Sequence, residues 1–264
     1  MTWAVVLAGL TTALALVFAH AWRREVLQRR RLTAALDTAA AQLEHLQRAF
    51  HRFAPRDVVE DIIRRGVTTS GERRLVTVLF ADLADFTALS ERSEPERVVR
   101  LLNGYFQAMA SAVAEHGGYV SKFMGDGVLA LFGAPEPNPW HALDAVEAAL
   151  AMRAAMARYN EQLAAQGLAP LRLCIGIHSG PVVAGVVGSA ELVEYTAIGD
   201  VVNTAARIEA LTRRMDADIL ISAEVRAALS DLYLVREMPP ADVKGKSEAI
   251  VTYAVDGRTP RPSP

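Results

Sequence analysis

The 264-residue chain has one cysteine, Cys174. A single thiol excludes an intramolecular disulfide and a zinc centre built from cysteines. Neither sign of charge is in excess: the formal net charge is −2 and the pI about 6.3. That excludes a strongly basic nucleic-acid-binding protein, and no nucleic-acid partner is expected. No repeat of solenoid period is visible. The first 22 residues contain no Asp, Glu, Lys or Arg. What is present is 52% apolar and 22% charged residues, the balance of a folded chain with a core of its own, in one or two domains.

The uncharged run from Trp3 to Trp22 is long enough, at about 1.5 Å per helical residue, to match a bilayer core of about 30 Å. Trp3 and Trp22 stand at its ends, and Arg23, Arg24, Arg29, Arg30 and Arg31 follow. The expectation is a transmembrane helix over 1–22, single-pass in the cell (inner) membrane, with the C-terminal side in the cytoplasm. Two other readings compete: a cleaved signal peptide ending near Ala19-His20-Ala21, and a buried core helix. Leu32, Leu36, Ala39, Leu43, Leu46 and Phe50 then recur at spacings of 4 and 3. This is a heptad seam of under three repeats, read as a coiled coil within a juxtamembrane helix over 23–52, or as one amphipathic helix packing on its own domain. Pro55 and Gly66 bracket a short linker helix. A connector follows, and the domain boundary is expected near residue 70.

From Leu75 the pattern mixes strands and helices. The strands are 75–80, 119–123, 128–132, 171–178, 182–187, 219–221, 233–236 and 250–255. The helices are 86–90, 95–116, 138–166, 200–213 and 223–229. Ser179-Gly180-Pro181 reads as a hairpin turn. The fold class is α+β with a mostly antiparallel sheet and flanking helices over 71–256, and 257–264 reads as a disordered tail.

Candidate chemistry sits at strand ends. Asp82 closes an apolar strand, and Asp126 lies between two glycines at the tip of a second strand pair. Together such carboxylates suit divalent ions held on phosphate oxygens; separately, a helix cap and a hairpin turn explain them as well. A helix starting near Phe86 and Thr87 would offer free backbone N–H groups to a triphosphate. Lys122 precedes Asp126 by four residues and reads equally as an exposed strand lysine. Asn203 and Arg207 share one face of a helix, suited to charge growing on a phosphoryl group or to an ordinary solvated face. Lys244 and Lys246 flank Gly245 in a late loop.

Three segments taken together carry a resemblance: Phe80-Ala-Asp-Leu-Ala-Asp-Phe-Thr87, Lys122-Phe-Met-Gly-Asp-Gly127 and Tyr195-Thr-Ala-Ile-Gly-Asp-Val-Val-Asn-Thr-Ala-Ala-Arg207. Their order and internal spacing resemble the class III adenylyl/guanylyl cyclase catalytic domain, most closely the bacterial membrane-anchored adenylate cyclases, over about residues 50–256. The resemblance implies a ferredoxin-like, palm-type fold. It also implies conversion of ATP to 3′,5′-cyclic AMP and pyrophosphate, with two divalent cations per site, Mg²⁺ or Mn²⁺. By resemblance, Asp82, Asp126 and the Leu83 carbonyl would bind the metals. Backbone groups near Phe86 and Thr87 would touch the triphosphate, and Lys244, with Lys246 as the alternative, the terminal phosphates. Lys122 and Thr196 would read the purine, Asn203 the ribose, and Arg207 would stabilise the transition state. It further implies a homodimer whose two sites each draw on both chains. Cys174 departs from the basic residue that many relatives carry there. A guanylate cyclase and a catalytically silent membrane module are the alternatives. A diguanylate cyclase lacks support, since its Gly-Gly-Asp/Glu-Glu-Phe signature is absent.

Overall fold

A computed structural model describes residues 2–50, 60, 71–189, 193–241 and 249–259, with side chains of the first helix described only within 18–46. The chain divides into two compact units, Met1–Val59 and Glu60–Pro264.

The first unit contains one continuous helix, α1 (Thr2–Phe50). Leu32, Leu36, Leu43 and Leu46 are each more than half exposed on it. The single-pass membrane placement is corrected here. Among the described residues no helix is long and apolar enough to cross a membrane. The described stretch of α1 beyond Trp22 carries Arg23, Arg24, Glu25, Arg29, Arg30 and Arg31 within nine positions, so the helix continues as a charged one in that direction. The short linker helix expected after Pro55 falls outside the described residues, as do Lys244, Lys246 and residues 260–264.

The second unit runs β1 (Gly71–Leu83), α2 (Phe86–Glu91), α3 (Pro95–Glu115), β2 (Tyr119–Met124), β3 (Gly127–Phe132), α4 (His141–Ala165), β4 (Leu173–Gly188), β5 (Val193–Ile198), α5 (Asp200–Met215), β6 (Ile219–Ser222), α6 (Ala223–Ala228), β7 (Tyr233–Glu237) and β8 (Thr252–Arg258). Among the described residues the strands form one sheet in the order β2-β3-β1-β4-β6-β8-β7, and β5 pairs with β4. The β4–β6 pairing is parallel; the other pairings are antiparallel. The α+β expectation therefore holds, with one parallel contact where the chain crosses over through α5.

Alternation along the strands divides the core into two layers. Leu79, Ala81 and Leu83 of β1 join Ile175 and Ile177 of β4, Ile219 and Ile221 of β6, and the inner faces of α3 and α4. Leu101, Tyr105, Met109, Ala112 and Val113 form the buried stripe of α3, at the spacing an amphipathic helix requires. On the opposite face, Ile208 and Leu211 of α5 pack with Leu220 and Ala254. Burying each large aliphatic side chain contributes about 1.5–3 kcal/mol.

The Ser179-Gly180-Pro181 hairpin does not exist. β4 runs unbroken, and β1 pairs with it from Gly71↔Gly185 to Leu83↔Leu173. The glycines serve contact, not turning. A Cβ on Gly180 would lie 2.7 Å from Val201 Cγ2, and one on Gly176 would lie 2.1 Å from Glu209 N and 2.4 Å from Ala205 O. Gly176 and Gly180 are four apart on one strand face, so together they form a shallow groove in which α5 lies. The true hairpin follows β4, and β5 begins where no strand was expected.

Gly176→Ala would push a methyl into α5 backbone that has no side-chain freedom with which to yield. We expect a loss of about 3 kcal/mol or more, read as a lowered denaturation midpoint. A midpoint within error of wild type would mean that α5 is not seated on this strand.

Candidate active site

Asp82 ends β1 and Asp126 occupies the β2–β3 turn beside Gly125, whose φ of +63° favours glycine. The turn folds the two carboxylates onto one backbone amide. Leu83 N donates to Asp82 Oδ1 at 2.8 Å and to Asp126 Oδ2 at 3.2 Å. Burial, and then the neighbouring Asp82, push Asp126 up to about 6. Like charges this close disfavour joint ionisation. A divalent cation relieves that repulsion, and hard carboxylate oxygens are donors that Mg²⁺ and Mn²⁺ accept. The donor set therefore fits such ions, although it is small. Among the described residues no group of three or more His, Cys, Asp or Glu is placed to hold a metal. The remaining ligands would be backbone, water or phosphate oxygens.

A second shell of charge surrounds the pair. Arg213 Nη2 donates to Asp82 Oδ2 at 3.3 Å, and its Nη1 donates to Glu209 Oε1 at 2.8 Å. Glu209 is 5% exposed. Burial pushes it up to about 7, with Arg213 opposing and Asp82 adding to the rise. The Tyr105 hydroxyl is fully buried and has no hydrogen-bond partner among the described residues. Burial first, then Asp82 and Asp126, hold it well above the usual phenol range, so it stays protonated. Cys174 lies opposite Asp82 in the ladder. It is buried, and burial raises its thiol.

Past the turn, α2 begins after Asp85, which sits at φ 59° and makes no side-chain cap bond. The first N–H groups of a helix have no intrahelical partner, so those of Phe86 and Thr87, three and four residues past Leu83, are left free by the helix. Phe86 is buried and Thr87 exposed.

Lys122 and Thr196 lie elsewhere, on β2 and β5, whose side chains touch. Ser121 Oγ donates to Thr196 Oγ1 at 3.2 Å and to the Tyr195 carbonyl at 3.0 Å. Lys122 Nζ donates to Glu194 Oε1. A bulge makes this possible: Val120 pairs with Ala130 and Lys122 with Leu129, leaving Ser121 as the extra residue. Thr196 is 5% exposed, while Lys122 keeps partial access to solvent. Asn203 is exposed on α5. Arg207, one turn on, has a buried Nη1 with no hydrogen-bond partner among the described residues. A buried unpaired guanidinium N–H is costly.

At 100° per residue, Asn203 and Arg207 project about 40° apart, and Glu209 and Arg213 likewise, with roughly 120° between the pairs. One helix therefore serves two different faces. The sequence-expected residues fall into three groups: Asp82 and Asp126 at the end of β1, where Arg213 joins them, Lys122 and Thr196 on β2 and β5, and Asn203 with Arg207 on a separate face of α5. Sequence reasoning missed Glu209 and Arg213, whose i, i+4 spacing was the available signal, and also Ser121 and Glu194.

The profile described as "Adenylate and Guanylate cyclase catalytic domain" matches residues 69–257. The chain belongs to that family. It is 36% identical over 206 residues to "Adenylate cyclase 1" of Rhizobium meliloti, covering 76% of this chain and 31% of the relative. It is 35% identical over 235 residues to an adenylate cyclase of Anabaena cylindrica, covering 85% and 46%. The chain thus spans a third to a half of the length of these relatives. Among solved structures, the guanylyl cyclase Cya2 superposes with TM-score 0.66 at 39% identity, over 72% of this chain and 95% of that one. The adenylyl cyclase CyaB from P. aeruginosa superposes with TM-score 0.67 at 36% identity, over 72% and 97%. The cyclase fold is thereby established for the second unit, and the match covers all three sequence segments that carried the resemblance.

The pH dependence of this cyclase domain follows from Asp126. Its folded-state value of about 6 lies above the ordinary 3.8, so the folded state holds the proton more tightly. That contribution to stability is present below about pH 4 and is lost as pH rises through 6. In chelator, Asp126→Asn should therefore gain stability relative to wild type at pH 7.5 and lose the gain at pH 4. Urea midpoints at the two pH values measure this; a variant that tracks wild type at both refutes the coupling.

Proposed function

We propose that this chain is an adenylate cyclase. The reading rests on one observation above the others: Asp82 and Asp126 converge on the Leu83 amide beside the uncapped start of α2. In the reaction, the 3′-oxygen of ATP bonds to the α-phosphorus and the bond from that phosphorus to the pyrophosphate oxygen breaks. Cyclic AMP and pyrophosphate result, and the hydroxyl proton passes to the medium. Divalent cations, when bound, lower the pKa of that hydroxyl and neutralise phosphate charge.

The chain's own groups do the rest. Asp82 and Asp126 would hold the cations, with the Leu83 carbonyl as the further ligand. The free N–H groups at Phe86 and Thr87 would bind triphosphate oxygens, and Lys244 would meet the terminal phosphates. The adenine N1 accepts a hydrogen bond and its N6 amino group donates. The Lys122 ammonium supplies a donor, and Thr196 Oγ1, which among the described residues receives Ser121 Oγ, retains a lone pair to accept. Asn203 would orient the ribose. The unpaired Nη1 of Arg207 would bind the charge that grows on the phosphoryl group.

As the resemblance implies, the aspartates at the end of β1, the pair on β2 and β5, and Asn203 with Arg207 on α5 would serve one nucleotide from two chains. A homodimer forms two such sites. The exposed leucine stripe of α1 has the heptad spacing to pair with a second copy as a parallel coiled coil, raising the effective concentration of the two domains.

A guanylate cyclase is the second reading. It is favoured by the 39% identity to Cya2 and by Glu194, an acceptor already held beside Lys122 that matches the N1–H and amino donors of guanine. Nucleotide preference separates the two.

Full-length protein with Mn²⁺ should make cyclic AMP from ATP well in excess of cyclic GMP from GTP. Specific activity should rise with protein concentration, and Asp82→Ala should lower it at least about a thousandfold. Absence of product from either nucleotide, in folded protein, refutes the enzyme reading; a preference for GTP installs the alternative. Arg207→Ala should reduce kcat by about two to three orders of magnitude with KM within a few-fold. An unchanged kcat removes Arg207 from the transition state.

A further inference from the structure

We infer that Arg213 is a polyphosphate-binding residue of this domain, pinned for that task by Glu209. The inference rests on the cyclase reading above and adds to it a cation that the sequence motifs do not contain.

Arg213 lies in the last turn of α5. Its guanidinium is divided between two carboxylates of different character. Nη1 is fixed at 2.8 Å by Glu209, whose side chain is 6% exposed, and Nη2 reaches Asp82 at 3.3 Å. Among the described residues it is the only cationic group within ion-pair distance of either Asp82 or Asp126. The side chain is 35% exposed, so the edge facing Asp82 remains accessible to a ligand.

An arginine that only holds the fold together is satisfied at both ends by partners that stay. Here one end has such a partner. The other end is given to a carboxylate that the cyclase reading assigns to a cation. A guanidinium carries five donors in a flat fork matched to phosphate oxygens. With one nitrogen already immobilised, little further rotamer entropy is lost when the other binds an anion. A polyphosphate carried on the Asp82–Asp126 side of the site arrives within reach of that free edge. Glu209 is then a positioning residue: it touches no substrate and fixes the direction in which Arg213 points.

The test is calorimetric binding of magnesium pyrophosphate, and separately of adenosine, to full-length protein, with circular dichroism to confirm folding. Arg213→Met should weaken pyrophosphate binding about ten- to a hundredfold and leave adenosine unchanged. Arg213→Lys, which keeps the charge and loses the fork, should fall between, and it serves if the methionine variant does not fold. Glu209→Gln should weaken pyrophosphate less than Arg213→Met. Wild-type affinity for pyrophosphate in Arg213→Met overturns the inference while leaving the cyclase reading intact. Equal loss of adenosine and pyrophosphate also overturns it, since the residue would then be structural. If the wild-type protein binds neither adenosine nor pyrophosphate, the cyclase reading itself fails, and this inference with it.

Discussion

The contact on which the rest of the catalytic unit depends is the seating of α5 on β4. Gly176 and Gly180 remove two side chains from one face of the strand, and the helix backbone fills the space. No other residue type permits this approach, because a Cβ at Gly176 would stand 2.1 Å from a helix nitrogen. The closeness fixes the height of α5 above the sheet and its rotation about its own axis. Rotation matters more. The helix carries Asn203 and Arg207 on one face and Glu209 and Arg213 on another, so a turn of a few tens of degrees would misdirect both pairs.

Electrostatics at the end of β1 depends on this placement. Two carboxylates share one amide, and a third, Glu209, stands near them behind Arg213. Such a cluster is expensive in isolation. It is tolerated because protonation is available to Asp126 and Glu209, both pushed upward by burial, and because Arg213 bridges two of the three acids. Glu209 and Tyr105 differ in how they meet the same problem: the acid has a permanent cation, whereas the hydroxyl lies buried without a partner among the described residues.

Much of the fold was legible because apolar runs and helical spacing report burial directly. The strand ending at Asp82, the β2–β3 pair about Asp126, and the helix carrying Asn203 and Arg207 all stand where the patterns put them. Ser179-Gly180-Pro181 misled because glycine has two uses, turning and close approach, and a local reading sees only the first. β5 was hidden inside a segment read for its chemistry. At the site, residue types that stand alone in a motif could be picked out, as Asp82 and Lys122 were. Arg213, Glu209, Ser121 and Glu194 could not, since each acquires meaning only from a partner brought up by the sheet. The apolar N-terminal run shows the converse. Its length, its terminal tryptophans and the arginines after it suggested a membrane span, whereas among the described residues no helix is long and apolar enough to cross a membrane.

The extra residue in β2 has a consequence of a different kind. In an undisturbed ladder Lys122 would share the face of Val120, which packs into the layer under α3 and α4. The bulge at Ser121 reverses that parity and brings the ammonium out beside Glu194. The position of the lysine is therefore set by the ladder and not by its own preferences. Restoring a regular ladder at unchanged length would turn the ammonium onto the face of Val120 and toward the apolar core, whereas deleting Ser121 would seat Lys122 directly after Val120 and keep it outward. The irregularity itself, rather than the length of the strand, holds the charge out of the core.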